Sequence, residues 1–296
     1  LWPAIQQGLL LQDGGDWHIG MIPPHSYREI EPVLAPSCRF LHDRMLQAAY
    51  QSLDETQRQN THLTIGRLLK NHQQSKNSAL QGTALFEVVE QLNEGRDLIT
   101  DKEERLELAQ FNLQAALLSK AASVWDNALR CSKIAMTLLP DKAWDDMYDL
   151  TLTLNLLRIE CEYLTINPEN AERLAEEVLQ KIRSNNVKAK LCDLLMLNNL
   201  SHGSLNYGTE KTIEGVEYCG IVVPSSDEGL LQQIEIEQTQ LDVHLQSFSI
   251  AELEQRPLAT EDHIVISQQL LSRLAQIAAI TKRPALFQFS TLTGIN

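Results

Sequence analysis

Glycine is missing from the places where phosphate chemistry needs it. No Gly-Lys dipeptide occurs, and no two glycines are spaced as GxG. The chain therefore has neither a GxxxxGK(S/T) loop to cradle phosphates nor the dinucleotide fingerprint. No two of its 8 histidines fall at i and i+4, which removes HExxH zinc chemistry. The GxSxG elbow and the protein-kinase motif set are missing too. Cysteine is sparse and odd in number: Cys38, Cys131, Cys161, Cys192 and Cys219 form no CxxC pair and cannot make a closed disulfide framework. Cys131, Cys161 and Cys192 sit among apolar residues of helical period, where a thiol acts as a small hydrophobe. No apolar run approaches the ~18 residues that a membrane span needs, and no signal-peptide pattern is read in these residues. A reducing cytoplasm is the expected setting.

Positive charge is in deficit. Asp and Glu number 39 against 25 Lys and Arg, a formal charge of −14. Such a surface repels phosphate backbones and anionic lipid, so neither nucleic acid nor membrane is an expected partner. The basic runs Lys181–Arg183 and Lys188–Lys190 read as the solvated end of one helix and the start of the next. With 43% hydrophobic and 22% charged residues the composition is that of a globular chain. Its 296 residues suit one large domain or two modest ones, at roughly 100–200 residues each. The chain opens on Leu1, inside a helix-like pattern, so a natural N-terminus is expected to lie further upstream.

Residues 1–40 differ from the remainder. Leu1–Leu11 has a short amphipathic helical pattern ended by Asp13-Gly14-Gly15. Trp17–Ile22 and Cys38–His42 are strand-like, separated by a stretch carrying Pro23, Pro24, Pro32 and Pro36. Helix, strand pair and helix is the layout of a small winged-helix unit, expected over 1–72. Asp43 is placed to cap a helix Arg44–Leu53, and Asp54 or Thr56 to start another running to about Leu69. The polar stretch Gln73–Gly82 reads as a linker.

From residue 83 to 296 the pattern is helical. Asp101–Ser119 repeats apolar residues at Leu106, Ala109, Leu113, Ala116 and Leu117. Asn167-Pro168 is a strong helix start, and Ala171, Leu174, Ala175, Val178, Leu179 and Ile182 then follow the i, i+3, i+4, i+7, i+8, i+11 rule. Later helices are expected at Val187–Ser201, Thr209–Ile221, Asp227–Gln246 and Asp262–Ile280. Starts near Asp141, Asn186 and Asp227 are spaced by 45 and then 41 residues, a 40-odd residue period of helical hairpins that is the signature of an α-solenoid. The expected fold is mainly α: a right-handed solenoid of tetratricopeptide-like hairpins, incomplete at both ends, behind the winged-helix-like unit. Ala128, Ala135 and Pro140 match the second helix of one tetratricopeptide unit; the other pairs match less well.

Three groups of residues could carry chemistry. His42-Asp43 could be a phosphoacceptor pair, but strand-like residues precede it and no nucleotide box follows. We read His42 as packing at a strand–helix corner and Asp43 as a cap. Asp145, Asp146 and Asp149 are placed to favour helix N-termini, not a metal. Trp125, Trp144 and Tyr148 are placed to fill grooves between hairpins. No catalytic, cofactor-binding or metal-binding residue is assigned.

The runs FLHDRMLQAAYQSL, THLTIGRLL, LFEVVEQLNEG, ITDKEERLELAQFNLQAALLSKAASVWDNALRC and LRIECEYLTINPENAERLAEEVL, in this order, resemble one family. It is that of large bacterial, chiefly cyanobacterial, signalling proteins. These join a serine/threonine-kinase-like domain, a STAND-type AAA ATPase, helical repeats, a GAF domain and often a sensor histidine kinase. The resemblance covers roughly residues 1–185 and weakens toward Asn296. It implies that 1–72 is the winged-helix tail of the ATPase module and that the remainder is its repeat region. ATP and magnesium would belong to the parent protein and not to this chain. It implies two partners, the neighbouring ATPase module and an effector or protein on the repeat surface, and so a non-catalytic regulatory scaffold of an ATP-dependent kinase. The same helices in a STAND-type transcriptional regulator, or in a stand-alone tetratricopeptide adaptor, are the rival readings.

Overall fold

The computed structural model describes residues 10–13, 37–75, 80–165, 167–202, 205–247 and 259–296. They are mainly helical and fall into two compact units, Leu1–Asp101 and Lys102–Asn296. None of the described helices is long and apolar enough to cross a membrane.

In the first unit, β1 (Leu10–Asp13) pairs antiparallel with β2 (Ser37–Phe40), Leu10 opposite Phe40 and Asp13 opposite Ser37. Leu10 and Leu11 were expected to end a helix and instead form a strand. A short apolar run has no period long enough to separate the two states, and pairing with β2 decides it. The expected strand Trp17–Ile22 lies outside the described residues. Helix α1 (Asp43–Gln51) buries none of its side chains. Helix α2 (Glu55–Ser75) runs past the expected end at Leu69, because His, Gln and Asn weaken a helix without breaking it. It opens with a capping box: the Gln57 N–H donates to Asp54 Oδ1 at 2.8 Å, and the Asp54 N–H to Gln57 Oε1 at 3.1 Å. Helix α3 (Gly82–Glu94) packs on α2. Gly66 permits that approach, since a Cβ there would lie 2.6 Å from Leu92 Cδ2.

The second unit holds α4 (Lys102–Ala121), α5 (Trp125–Leu138), the one-turn α6 (Ala143–Asp146), α7 (Tyr148–Leu164), α8 (Pro168–Leu179), α9 (Asn185–His202), α10 (Leu205–Tyr218), α11 (Asp227–Ser247), α12 (Asp262–Ile280) and α13 (Pro284–Ile295). Helices pair as α4 with α5, α7 with α8, α9 with α10 and α12 with α13. Each pair also touches the next: α5 meets α7, α8 meets α9, and α9 and α10 meet α12. The core is strung along this chain of contacts. One cluster joins α7, α8 and α9 through Ile159, Leu174, Ala175, Val178, Leu191 and Leu195. A second joins the other flank of α9 to α10, α12 and α13 through Ala189, Val216, Leu270, Leu274 and Phe289.

The α8 stripe is buried at all six expected positions. The α4 stripe is not the expected one. Only Ala109 and Ala116 of the five are buried, beside Leu108, Asn112, Ala115 and Ser119, and Leu117 is 44% exposed. Apart from Leu108 the buried face of α4 is made of small residues, and so is most of the buried face of α5, which it packs on: Ala128, Cys131, Ser132 and Ala135. Small side chains let two backbones close up, and the leucines that mark a conventional stripe move to the flanks. Helix α11 begins at Asp227 as expected, yet it packs on α13 and not on α12 as the third hairpin. A period shows that a helix buries one face; it does not name the neighbour.

Three helices end the same way. Residue C′ adopts left-handed φ, at Ser123 (φ 59), Gly220 (φ 86) and Lys282 (φ 55). In each case its N–H and the next one turn back onto the last helical turn. The Val124 N–H reaches Ser119 O at 2.8 Å, the Ile221 N–H reaches Val216 O at 3.3 Å and the Arg283 N–H reaches Ala278 O at 2.8 Å. These are Schellman ends, which cap orphan carbonyls and reverse the chain. Two of the three use a residue other than glycine.

Candidate functional site

The residues singled out by sequence are dispersed. His42 is exposed, not packed at a corner, and it occupies the N-cap position with no side-chain hydrogen bond, one place before Asp43. Asp43 begins the helix and does not cap it. The histidine that is engaged is His62 on α2, which shares hydrogen bonds with Tyr50 Oη at 3.1 Å and Gln91 Oε1 at 2.7 Å. It ties α1, α2 and α3 together. Asp145 and Asp146 lie in α6 and Asp149 in the first turn of α7. Among the described residues no group of three or more His, Cys, Asp or Glu could hold a metal ion. Trp144 and Tyr148 pack on the α7–α9 core cluster. Tyr148 also receives the Arg183 N–H at 2.8 Å, and the Arg183 guanidinium sits over its ring at 4.3 Å. The basic runs are therefore engaged and not simply solvated: Lys188 lies over the Tyr218 ring at 5.1 Å and Lys190 pairs with Asp262 at 2.8 Å.

The densest polar cluster was not anticipated. On α10, Tyr207, Lys211, Glu214 and Tyr218 fall at i, i+4, i+7 and i+11, so one face carries all four. The Lys211 ammonium lies 2.6 Å from Glu176 of α8 and 2.8 Å from Glu214. Tyr207 Oη donates to Glu176 at 2.9 Å, and Tyr218 Oη donates to Glu214 at 2.7 Å. Burial alone would lower the Lys211 pKa, but hydrogen bonds to Glu176 and Glu214 outweigh it and raise it. Burial likewise opposes ionisation of Glu214, but hydrogen bonds from Lys211 and Tyr218 hold its carboxyl below the ordinary value. Burial, reinforced by Glu172 and Glu176, raises the nearby Tyr163 phenol. That hydroxyl is buried and makes no hydrogen bond.

A second cluster surrounds Glu162 of α7, whose side chain is 1% exposed. Lys133 of α5 approaches Oε1 at 2.8 Å and Arg158 Nε lies at 3.6 Å. Asn167 Nδ2, instead of capping α8, donates to Oε2 at 3.1 Å. Between them the two clusters fix charges across helix interfaces. Lys211 stays an ammonium and Glu214 a carboxylate through the neutral range, so neither is poised to exchange a proton there. The thiols behave alike: burial pushes Cys161 up to about 11 and Cys192 up to about 12, away from the thiolate that a nucleophile needs. Sequence could have flagged the α10 face, because its polar residues keep a helical stripe. Nothing in the sequence marks Glu176 as its partner, 35 residues before Lys211.

The chain is similar to hybrid signal transduction histidine kinase G of Dictyostelium discoideum, 28% identical over 165 residues. The match takes in 49% of this chain and 5% of that protein, so the chain spans only a small part of its relative's length. No protein-family model matches the chain, and no solved structure matches it. The comparison relates these helices to a signal-transduction kinase.

Proposed function

We propose that this chain is a non-catalytic regulatory segment of an ATP-dependent signal-transduction kinase. In this reading residues 1–72 form the winged-helix tail of a STAND-type AAA module. Residues 83–296 form a right-handed, tetratricopeptide-like solenoid whose surface receives an effector or protein partner. ATP and magnesium act in the parent polypeptide, in the cytoplasm, and the helices convert partner binding into a bias on the ATPase switch. The observation that carries the reading is the strung-out core: α9 contributes one flank to each of two successive clusters, as a stacked array requires. The similarity to a hybrid histidine kinase supports a kinase as the output.

The test has two arms. The isolated chain, incubated with ATP and magnesium, is expected to show neither hydrolysis nor autophosphorylation. In the parent kinase, deleting Lys102–Asn296 is expected to leave basal autophosphorylation and abolish its response to stimulus. ATP turnover by the isolated chain would refute the regulatory reading. A reading frame that joins these helices to a DNA-binding effector and no kinase would replace the output.

A further inference from the structure

The last hairpin is electrostatically unlike the rest of the chain. All 39 carboxylates fall before residue 263; the segment 263–296 has none, and it carries Arg273, Lys282 and Arg283. Arg273 is engaged by Asp193. Lys282 and Arg283 are exposed and form no ion pair with any described residue. Both sit at the α12–α13 turn, on the rim of an open cleft of about 450 Å³ lined otherwise by Ala278, Ala279, Pro284 and Phe287. Phe287 remains 42% exposed there. The N-terminal end of α13 opens at the same turn and adds the positive end of a helix dipole.

The turn itself is costly. Lys282 holds the left-handed C′ position of the Schellman end, where glycine is preferred and an L side chain is strained. A strained cation thus sits beside an apolar recess, at the end of a hairpin that carries no carboxylate after Asp262, in a chain of formal charge −14.

We propose that this cleft docks an acidic amphipathic segment of a partner protein. Apolar side chains of the partner cover Phe287 and the Ala278–Ala279 floor, and its carboxylates meet Lys282, Arg283 and the start of α13. Charge complementarity selects the occupant: a basic or neutral segment would leave both cations unanswered. The cleft lies toward the low end of ligand-holding volumes, ~300–1,000 Å³, which suits a short anchor and not a second folded face. An anionic membrane is the weaker match. Two cations are fewer than the basic cluster that holds a protein at such a surface, and the remaining acidic chain is repelled by it. The inference does not depend on the kinase reading.

The probe is a fluorescent amphipathic peptide of about 15 residues, long enough for a helix, with Leu and Phe on one face and Glu flanking them. A twin carries Lys for every Glu. Anisotropy with the whole chain is expected to show saturable binding of the Glu peptide, weakened by salt, and at least tenfold weaker binding of the Lys twin. Lys282→Glu with Arg283→Glu is expected to weaken binding at least twentyfold, and Phe287→Ala at least fivefold. Lys282→Gly serves as the folding control: it removes the cation and relieves the backbone, so the melting temperature holds or rises while affinity falls severalfold. Equal affinity for the two peptides, no binding of the Glu peptide, or indifference to the double variant would overturn the proposal. So would three other results: binding to phosphatidylserine vesicles that the double variant abolishes, self-association that the same variant abolishes, or Phe287 shielded in the parent polypeptide by a neighbouring segment.

Discussion

Removing both cations that face Glu162 isolates the role of a buried charge in this stack. Glu162 is 1% exposed, with Lys133 at 2.8 Å and Arg158 at 3.6 Å. Arg158 is weakly held: its Nη1 reaches only Met136 Sδ, at 3.8 Å. Arg158→Met alone is therefore expected to cost under about 1 kcal/mol. The double variant Lys133→Met, Arg158→Met leaves a buried carboxylate with a single donor, Asn167 Nδ2. Stranding a buried charge costs about 3–5 kcal/mol. For a unit of this size, 1 kcal/mol corresponds to roughly 2–4 °C, so the melting temperature at pH 7 should fall by about 10 °C.

Thermal melts of the two variants and the parent protein at pH 7, followed by circular dichroism, measure the deficit. A deficit below about 3 °C for the double variant would show that Glu162 is not a buried charge held by those cations.

Three further outcomes follow from the packing. Ala175→Asp places an unpaired charge in the fully buried α8 seam and should cost several kcal/mol; an unchanged melting temperature would mean that this face is not a seam. Ser123→Gly relieves a left-handed φ of 59° at the α4–α5 turn and should stabilise the fold by about 1 kcal/mol in denaturant melts; a loss of stability would contradict the Schellman assignment. Cys192, buried and with its pKa pushed up to about 12, should resist iodoacetamide at pH 8 and react only on unfolding, as read by mass spectrometry of the labelled peptides.

Some of this fold could be read in advance, and the reason lies in particular helices. Helix α8 announces itself through Asn167-Pro168 and one unbroken apolar stripe, and α11 and α12 begin where Asp227 and Asp262 place them. Helix α13 was not anticipated. Its sequence PALFQFSTLTGI has no charged residue, so no polar face contrasts with the apolar one and no period emerges. The α4 seam was missed for the opposite reason: apart from Leu108 its buried face is Ala, Asn and Ser, which hydrophobicity ranks below the leucines beside it. The cluster on α10 was half legible, since its own four residues share a stripe. Glu176 belongs to another helix, and such a pairing is settled only by how the helices stack.

The placement of charge answers a problem that the apolar stripes cannot. Burial of Leu, Val and Ala is non-directional, so a helix with a greasy face could slide by a turn or accept a different neighbour at little cost. Each step along the second unit carries a polar crossing that removes that freedom. Lys120 of α4 meets Glu160 of α7 at 2.5 Å, and Lys133 of α5 meets Glu162. Glu176 of α8 takes Lys211 and Tyr207 of α10. Asp193 and Lys190 of α9 pair with Arg273 and Asp262 of α12. Glu237 of α11 accepts from Asn296, just past α13, at 2.8 Å. Any slip strands a partly desolvated charge at several of these crossings at once. The apolar faces thus supply the attraction between hairpins, and the ion pairs select which face meets which, including the departure in which α11 lies on α13 instead of α12.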